Sequence, residues 1–444
     1  EHRVVVDPEE RRRLIAEQVD ALVRTVGGRV PDDPALLEEV THLVEQPTPF
    51  LGRFEERYLA LPAEVLIAVM KKHQRYFPVV EDGPAPGRGE ATLLPYFIGV
   101  RNGGEEHLDV VRRGNEEVIH ARFADAEYFY REDTKQPLEA FLPRLDTLTF
   151  QERLGSMLAK TRRLEALVAE LADALGLDEA EKATAVRAAH LCKADLATQM
   201  VVEFTSLQGI MGREYALKSG ERPEVARAIF EHYLPRFAGD ALPQTRAGLV
   251  VGLADRLDSL AGLFAVGLAP TGSADPYGLR RAALGLVQNV IGAEIPFSIR
   301  RGLEAAARLL PVDAPAEALD QAWAFVVGRL RVYLRELGFR YDVVEAVLAA
   351  RGDDPYRAKV GVEQLSRWVE REDWPRILDN YARCVRITRD FEERFPLDPG
   401  RFVRPAEEAL YAAYREARER LTPESSVDEF LTAFVPLVDV IDRF

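Results

Sequence analysis

The segment Leu61-Pro62-Ala63-Glu64-Val65-Leu66-Ile67-Ala68-Val69-Met70-Lys71-Lys72-His73-Gln74-Arg75-Tyr76-Phe77-Pro78 carries a helix, a run of cations and the start of a strand. Pro62 suits a helix start, because the first helical N–H has no intrahelical acceptor to lose. Val65, Leu66, Val69 and Met70 recur at helical spacing and make one apolar face. The helix closes on Lys71, Lys72 and Arg75. Tyr76–Val80 then reads as a strand, with Pro78 suiting a sheet edge. This join makes the first part of the chain α/β. It also delivers three cations to a strand end, where they can meet phosphate. Basic residues at a helix C-terminus equally complement the helix dipole, and both readings stay open on physics alone.

Outward from that segment, Pro34–Val44 reads as a short helix. Leu93–Val100 reads as a strand stopped by the turn residues Asn102-Gly103-Gly104. The Gly/Pro-rich stretch 81–90 is a loop, so the two strands pair antiparallel through a long connection. Glu116–Arg131 is an amphipathic helix with Ile119, Phe123, Ala126 and Tyr130 in line. Beyond residue 145 the pattern is helical throughout. Leu164, Leu167, Val168, Leu171 and Leu175 form one stripe, which Gly176 ends. Asp178 and Glu181 have capping-box spacing. Further helices are expected over Pro243–Gly267, from the Asp275-Pro276 cap to Gly292, and over 303–310, 316–337 and 342–350. Trp374-Pro375 breaks the chain before a last helical module.

A chain of 444 residues holds about two to four domains. Its hydrophobic content of 47% supports substantial cores, and no 18-residue apolar span or signal peptide is evident. The two cysteines, Cys192 and Cys384, lie far apart and form neither a disulfide framework nor a zinc ribbon. A net charge of −15 argues against a generally basic groove and for local basic patches on an acidic body. Only eight of the 58 basic residues are lysines. Arginine suits phosphate forks, and it is equally the mark of a GC-rich or thermophilic source.

The stretch Met70–Pro78 resembles a segment of the beta subunits of bacterial heterotetrameric glycyl-tRNA synthetases. The likeness continues at Phe97-Ile98-Gly99-Val100-Arg101-Asn102-Gly103, Gly114-Asn115-Glu116-Glu117-Val118-Ile119 and Ala124–Phe129. It returns at Leu207-Gln208-Gly209-Ile210-Met211-Gly212 and Pro270-Thr271-Gly272-Ser273-Ala274-Asp275-Pro276. The resemblance covers essentially the whole chain in one order. It implies an α/β module like that of the phenylalanyl-tRNA synthetase beta subunit, and a C-terminal helical anticodon-binding domain of the DALR type. It further implies an alpha-subunit partner that activates glycine, tRNA(Gly) as the RNA partner, and a cytoplasmic location without a membrane. It also implies that the holoenzyme uses ATP and Mg and that this chain itself binds no cofactor. The family's beta subunits are longer at both ends, so the chain is expected to be a fragment lacking an N-terminal domain and the last helices.

Several constellations invite chemistry. His190-Leu191-Cys192-Lys193-Ala194-Asp195 with Ala254-Asp255-Arg256-Leu257-Asp258 resembles the HD phosphohydrolase pattern, in which histidines and aspartates hold a divalent metal. Ala194 stands where that pattern has histidine, and His190 sits five positions from Asp195, off the spacing that chelation on a helix needs. Asp195 and Asp255 are therefore read as structural carboxylates, with no metal set. The Pro270–Pro276 loop lacks P-loop spacing, and Asp275 at the cap would repel an anion. Around Arg376–Asp390, Ile377, Tyr381, Cys384, Val385 and Thr388 share one face, and Arg376, Arg383 and Arg386 fall opposite. That stripe is an RNA-backbone surface or the solvated face of any helix. Asn380-Tyr381-Ala382-Arg383 is similar to the DALR-type domain. No nucleophile motif and no class II motif arginine appear, so no catalytic residue is assigned.

The expected fold is multidomain and mainly α. An α/β module over 1–140 precedes an HD-like all-α domain over 145–300, a helical linker over 301–370 and a truncated anticodon-binding-like domain over 374–444. The expected function is to position tRNA for glycylation by the alpha subunit, with Lys71, Lys72, Arg75, Arg376, Arg383 and Arg386 as the RNA contacts. A metal-dependent HD phosphohydrolase and a non-catalytic helical scaffold are the alternatives.

Overall fold

The computed structural model describes residues 4–82, 92–391, 393 and 396–444. The chain is mainly helical, with a small sheet near its start. It packs as two units, Glu1–Tyr233 with Pro243–Gly252, and Leu234–Leu242 with Leu253–Phe444. This division is coarser than the four segments read from the sequence, and its border falls within the expected 145–300 stretch.

The first unit opens with α1 (Pro8–Arg24), β1 (Gly28–Arg29), α2 (Pro34–Leu43), β2 (Pro47–Arg53), α3 (Ala63–Gln74), β3 (Phe77–Glu81), β4 (Leu93–Asn102) and α4 (Leu108–Asp133). The strands form an antiparallel sheet in the order β1-β3-β4-β2. Asp7 and Asp33 cap α1 and α2 with their side chains. Ile15, Val19 and Val23 of α1 and Leu36 and Val40 of α2 pack with Phe77, Val79 and Ile98 of the sheet. The apolar face expected of α3 is fully buried at Val65, Leu66, Val69 and Met70.

Several local expectations need correction. Pro62 is the N-cap of α3 rather than its first helical residue. β3 is not an edge strand, since β1 and β4 flank it. Its proline is tolerated because β1 reaches only Val80 and Glu81, leaving Pro78 outside that pairing. β2 was not legible, because Pro47 and Pro49 read against a strand. They fit because β2 is an edge paired only to β4. On that pairing Phe50 faces Gly99 and Gly52 faces Phe97. Each ring occupies the space a Cβ would need on the opposite glycine. α4 begins at Leu108, earlier than its amphipathic part. Residues 83–90 of the expected 81–90 loop lie outside the described residues.

The first unit continues with α5 (Met157–Ala174), α6 (Glu179–Leu191), α7 (Gln199–Glu203), α8 (Ile210–Lys218) and α9 (Pro223–Glu231). The stripe Leu164, Leu167, Val168 and Leu171 is buried, and the Asp178–Glu181 capping box is made in full. α6 ends at Leu191, so His190 and Asp195 do not share the single helix that their spacing implies; Asp195 sits on a 3-10 turn, Ala194–Ala197.

α10 (Arg246–Ala265) begins in the first unit and ends in the second. The second unit adds α11 (Leu279–Gly292), α12 (Ile299–Ala307), α13 (Ala316–Glu336), α14 (Tyr341–Arg351), α15 (Pro355–Val369), α16 (Trp374–Thr388), α17 (Pro405–Arg420) and α18 (Val427–Arg443). α11 starts at Leu279 and not at Pro276. Asp275 still caps it, accepting from the backbone N–H of Leu279 at 2.8 Å and of Arg280 at 2.9 Å. Trp368, Ile377, Leu431 and Val438 join α15, α16 and α18 in one apolar cluster.

Candidate functional site

α3 presents its cations beside α2, whose acidic residues meet them. Lys71 pairs with Asp33, the cap of α2. Arg75 donates through Nε to Glu39 Oε1 at 2.8 Å and through Nη1 to the Lys72 carbonyl at 3.2 Å. Arg75 itself has φ 54 and closes α3 in the left-handed conformation. The exposed Lys72 holds its Nζ 6.0 Å from the centre of the Phe204 ring. The three cations thus come together as the sequence implies, but two of them face carboxylates. The signal was present in Asp33 and Glu39, yet nothing local says that these two carboxylates meet the end of α3.

The α16 cluster is compensated in the same way, by α18. Arg376 bonds to Asp439 at 2.6 Å and to Asp442 at 2.5 Å through Nη2. Arg383 reaches the Ile441 carbonyl at 3.4 Å, and Arg386 lies 3.5 Å from Asp379. Ion pairing with Arg376 holds the Asp442 carboxyl below its ordinary range. The apolar face of α16 is only partly covered: Ile377 is buried, whereas Tyr381 and Val385 are each 43% exposed. The two basic clusters belong to different units.

Asp195 belongs to the first unit and Asp255 to the second. Asp195 is wholly buried, and its Oδ2 accepts the backbone N–H groups of Gly209 at 2.6 Å and Gly212 at 3.0 Å. Burial pushes its carboxyl up to about 6, against the opposing pull of those N–H groups and of Lys193. Buried Lys193 lies 2.9 Å from His232 Nε2, while His232 Nδ1 sits 2.5 Å from the Ile229 carbonyl. The carbonyl contact makes Nδ1 the protonated nitrogen and leaves Nε2 to accept from the ammonium. Asp133, which no motif or spacing in the sequence marks, is a second buried hub. It accepts from Gln199 N and Met200 N at 2.9 Å each and from the Tyr215 hydroxyl at 3.0 Å.

Asp255 is half-buried on α10. Its neighbour Arg256 is buried and donates to the Leu234 carbonyl at 2.7 Å. Burial lowers the Arg256 guanidinium to about 10. His190 meets carboxylates with both ring nitrogens, Nδ1 2.8 Å from Glu165 and Nε2 3.0 Å from Glu139. Glu139 is held down to about 2, first by its bonds to Arg187 and then by His190. Among the described residues, no three His, Cys, Asp or Glu side chains are grouped to hold a metal ion. Also among them, no helix is long and apolar enough to cross a membrane. The Pro270–Pro276 loop is pinned by backbone bonds between Thr271 and Ala274, and by Arg280 donating to the Gly272 carbonyl at 2.5 Å.

The model of the family described as glycyl-tRNA synthetase beta subunit matches residues 1–349. The glycine–tRNA ligase beta subunit of Moorella thermoacetica is 45% identical over 442 residues, covering 98% of this chain and 62% of that protein. That of Clostridioides difficile is 42% identical, covering 99% and 63%. A chloroplastic/mitochondrial glycine–tRNA ligase of Arabidopsis thaliana is 39% identical over 99% of this chain and 41% of its own length. The chain therefore spans a little under two thirds of the bacterial relatives it matches. Together with the family model, which covers most of the chain, these identities establish that the chain belongs to the glycyl-tRNA synthetase beta subunit family.

Proposed function

We propose that this chain is a tRNA-positioning part of a glycine–tRNA ligase, working with an alpha subunit in a heterotetramer of the cytoplasm. Identity to beta subunits along nearly its whole length carries this reading. The alpha subunit would activate glycine with ATP and Mg and perform the acyl transfer, and this chain would do no chemistry of its own. The four segments 1–140, 145–300, 301–370 and 374–444 would act as α/β module, metal-free HD-like domain, linker and anticodon-binding-like domain.

Lys71, Lys72, Arg75, Arg376, Arg383 and Arg386 would contact the RNA backbone. Phosphate would have to exchange with carboxylates at Lys71, Arg75 and Arg376. The pairs of Arg75 and Arg376 are exposed and contribute little to stability, so exchange there is cheap, whereas Asp33 is largely buried and exchange at Lys71 costs more. The test is binding of the chain to tRNA(Gly) and to a non-cognate tRNA at two salt concentrations. Cognate preference with a steep salt slope is expected. Equal or absent binding would sink the assignment of RNA contacts to these residues.

A scaffold that only grips its partner subunit is the second reading. The carboxylate pairing of the candidate cations favours it, because it leaves less positive charge to attract phosphate. It predicts a complex with the alpha subunit whose tRNA affinity does not change when the six cations are neutralised. The metal-dependent phosphohydrolase has no support in the names of the relatives.

A further inference from the structure

A cleft of about 240 Å3 opens in the first unit where α2, the α3–β3 junction, the end of β4 and α4 meet. Its polar side consists of Gln74, Arg75, Tyr76, Arg101 and Asn115, and its apolar walls include Leu43 and Phe50. We infer that this cleft is a binding site for a small organic anion, a carboxylate carrying a short branched apolar group. The inference needs neither tRNA nor a partner subunit, so it stands apart from the reading above.

The charge balance of the cleft points to an anion. None of its lining residues is acidic. Arg75 is engaged by Glu39, whereas among the described residues Arg101 pairs with no carboxylate and donates to the Glu106 backbone carbonyl. That bond holds the guanidinium against a neutral carbonyl and not against a carboxylate. A fixed donor loses little freedom when a ligand arrives. The apolar walls lower the local dielectric and strengthen its pull.

The hydrogen-bond inventory agrees. The Asn115 carbonyl oxygen accepts from the Tyr76 hydroxyl, and its amide donates to the Val111 carbonyl at 2.7 Å. Among the described residues one amide N–H of Asn115 is left over, and the Tyr76 oxygen has lone pairs to accept with. The left-handed turn at Arg75, φ 54, lets Gln74 and Tyr76 on either side of it face the same cleft. A non-glycine residue held in that region marks a conformation the surroundings impose. The volume is below that of pockets for drug-sized ligands, which limits the occupant to a few carbons beyond the carboxylate. No acidic group lines the cleft to balance an ammonium, so a cationic amine does not fit.

The probes are isovalerate, its neutral analogue isovaleramide and the cationic isopentylamine, titrated against the whole 444-residue chain by ligand-observed NMR. Isovalerate should bind at least about ten-fold more tightly than the amide, with no binding of the amine. Arg101→Met should weaken isovalerate by a similar factor. Leu43 is 59% exposed, so Leu43→Glu leaves the fold intact and places a repelling charge at the mouth. It too should weaken isovalerate, and this variant keeps the test sound if Arg101→Met fails to fold. Equal binding of carboxylate and amide, binding unchanged by Leu43→Glu, or no binding at millimolar concentration would each overturn the inference.

Discussion

The Oδ2 atom of Asp195 accepts the backbone N–H of Gly212 at 3.0 Å, and the same atom takes the N–H of Gly209 at 2.6 Å. Those two groups lie at the start of α8, where no intrahelical acceptor exists. A carboxylate from the Ala194–Ala197 turn therefore caps α8, whose N-cap residue Gly209 lies fourteen residues beyond Asp195. The same arrangement accounts for both glycines of Leu207–Gly212. Gly209 has φ +79 and lies under the Tyr233 ring, and a Cβ on Gly212 would come within 2.7 Å of Ile229 Cγ2.

Gly212→Ala should destabilise the chain by about 1–3 kcal/mol, because the methyl meets both Ile229 and the capping carboxylate. Urea unfolding of the two proteins checks this. A midpoint equal to that of the parent would show that α8 can shift freely and that the cap is not tight.

Asp195 also makes stability depend on pH. Its folded carboxyl is raised to about 6 from the ordinary 3.8, so the native state keeps a proton that the unfolded chain has released. The contribution of this group is therefore greatest below the unfolded value and declines as pH rises toward about 6. The decline is on the order of 3 kcal/mol. Asp195→Asn cannot ionise and should lack it. The difference in unfolding free energy between the two proteins, followed from acid to neutral pH, isolates this group, and a flat difference would refute the prediction.

The sheet offers a steric test. Phe50 lies over Gly99, and the Gly99→Ala methyl would come within 2.4 Å of the Phe50 ring carbon Cζ. A loss of about 1–3 kcal/mol is expected, since β4 is held between β2 and β3 and cannot move away. Thermal melting would reveal it, and an unaltered melt would mean that the edge strand β2 yields instead.

The acidic partners of Arg376 can be tested through RNA. Asp439→Asn combined with Asp442→Asn frees the guanidinium and removes two negative charges. If α16 meets the RNA backbone, tRNA affinity at low salt should rise several-fold and the salt slope should steepen. Arg376→Ala should lower the affinity. Unchanged affinity in both variants would remove α16 from the candidate interface.

The helix signals were legible because they are short-range. The buried faces of α3 and α5 follow from apolar spacing, and the capping box of α6 from residues three apart. The antiparallel pairing of β3 with β4 followed from two apolar runs and the turn residues around them. β2 was missed because its prolines are acceptable only at an edge, and whether a strand is an edge is a property of the whole sheet. His190 shows the same limit: five residues along one helix would turn it away from Asp195, but α6 ends at Leu191 and only the fold shows this.

The candidate site divides along the same line. The sequence by itself determined which residues carry charge, where the cations cluster and which faces are apolar, because each depends on neighbours within a turn or two. Tertiary structure alone decided what those cations face. Glu39 stands 36 residues from Arg75, and Asp439 and Asp442 stand 63 and 66 residues from Arg376. It also decided that Asp195 would serve as a helix cap and that Tyr76, Arg101 and Asn115 would share one cleft. Such encounters are set by how separate faces bury against each other, and burial is a property of the folded chain that no local spacing encodes.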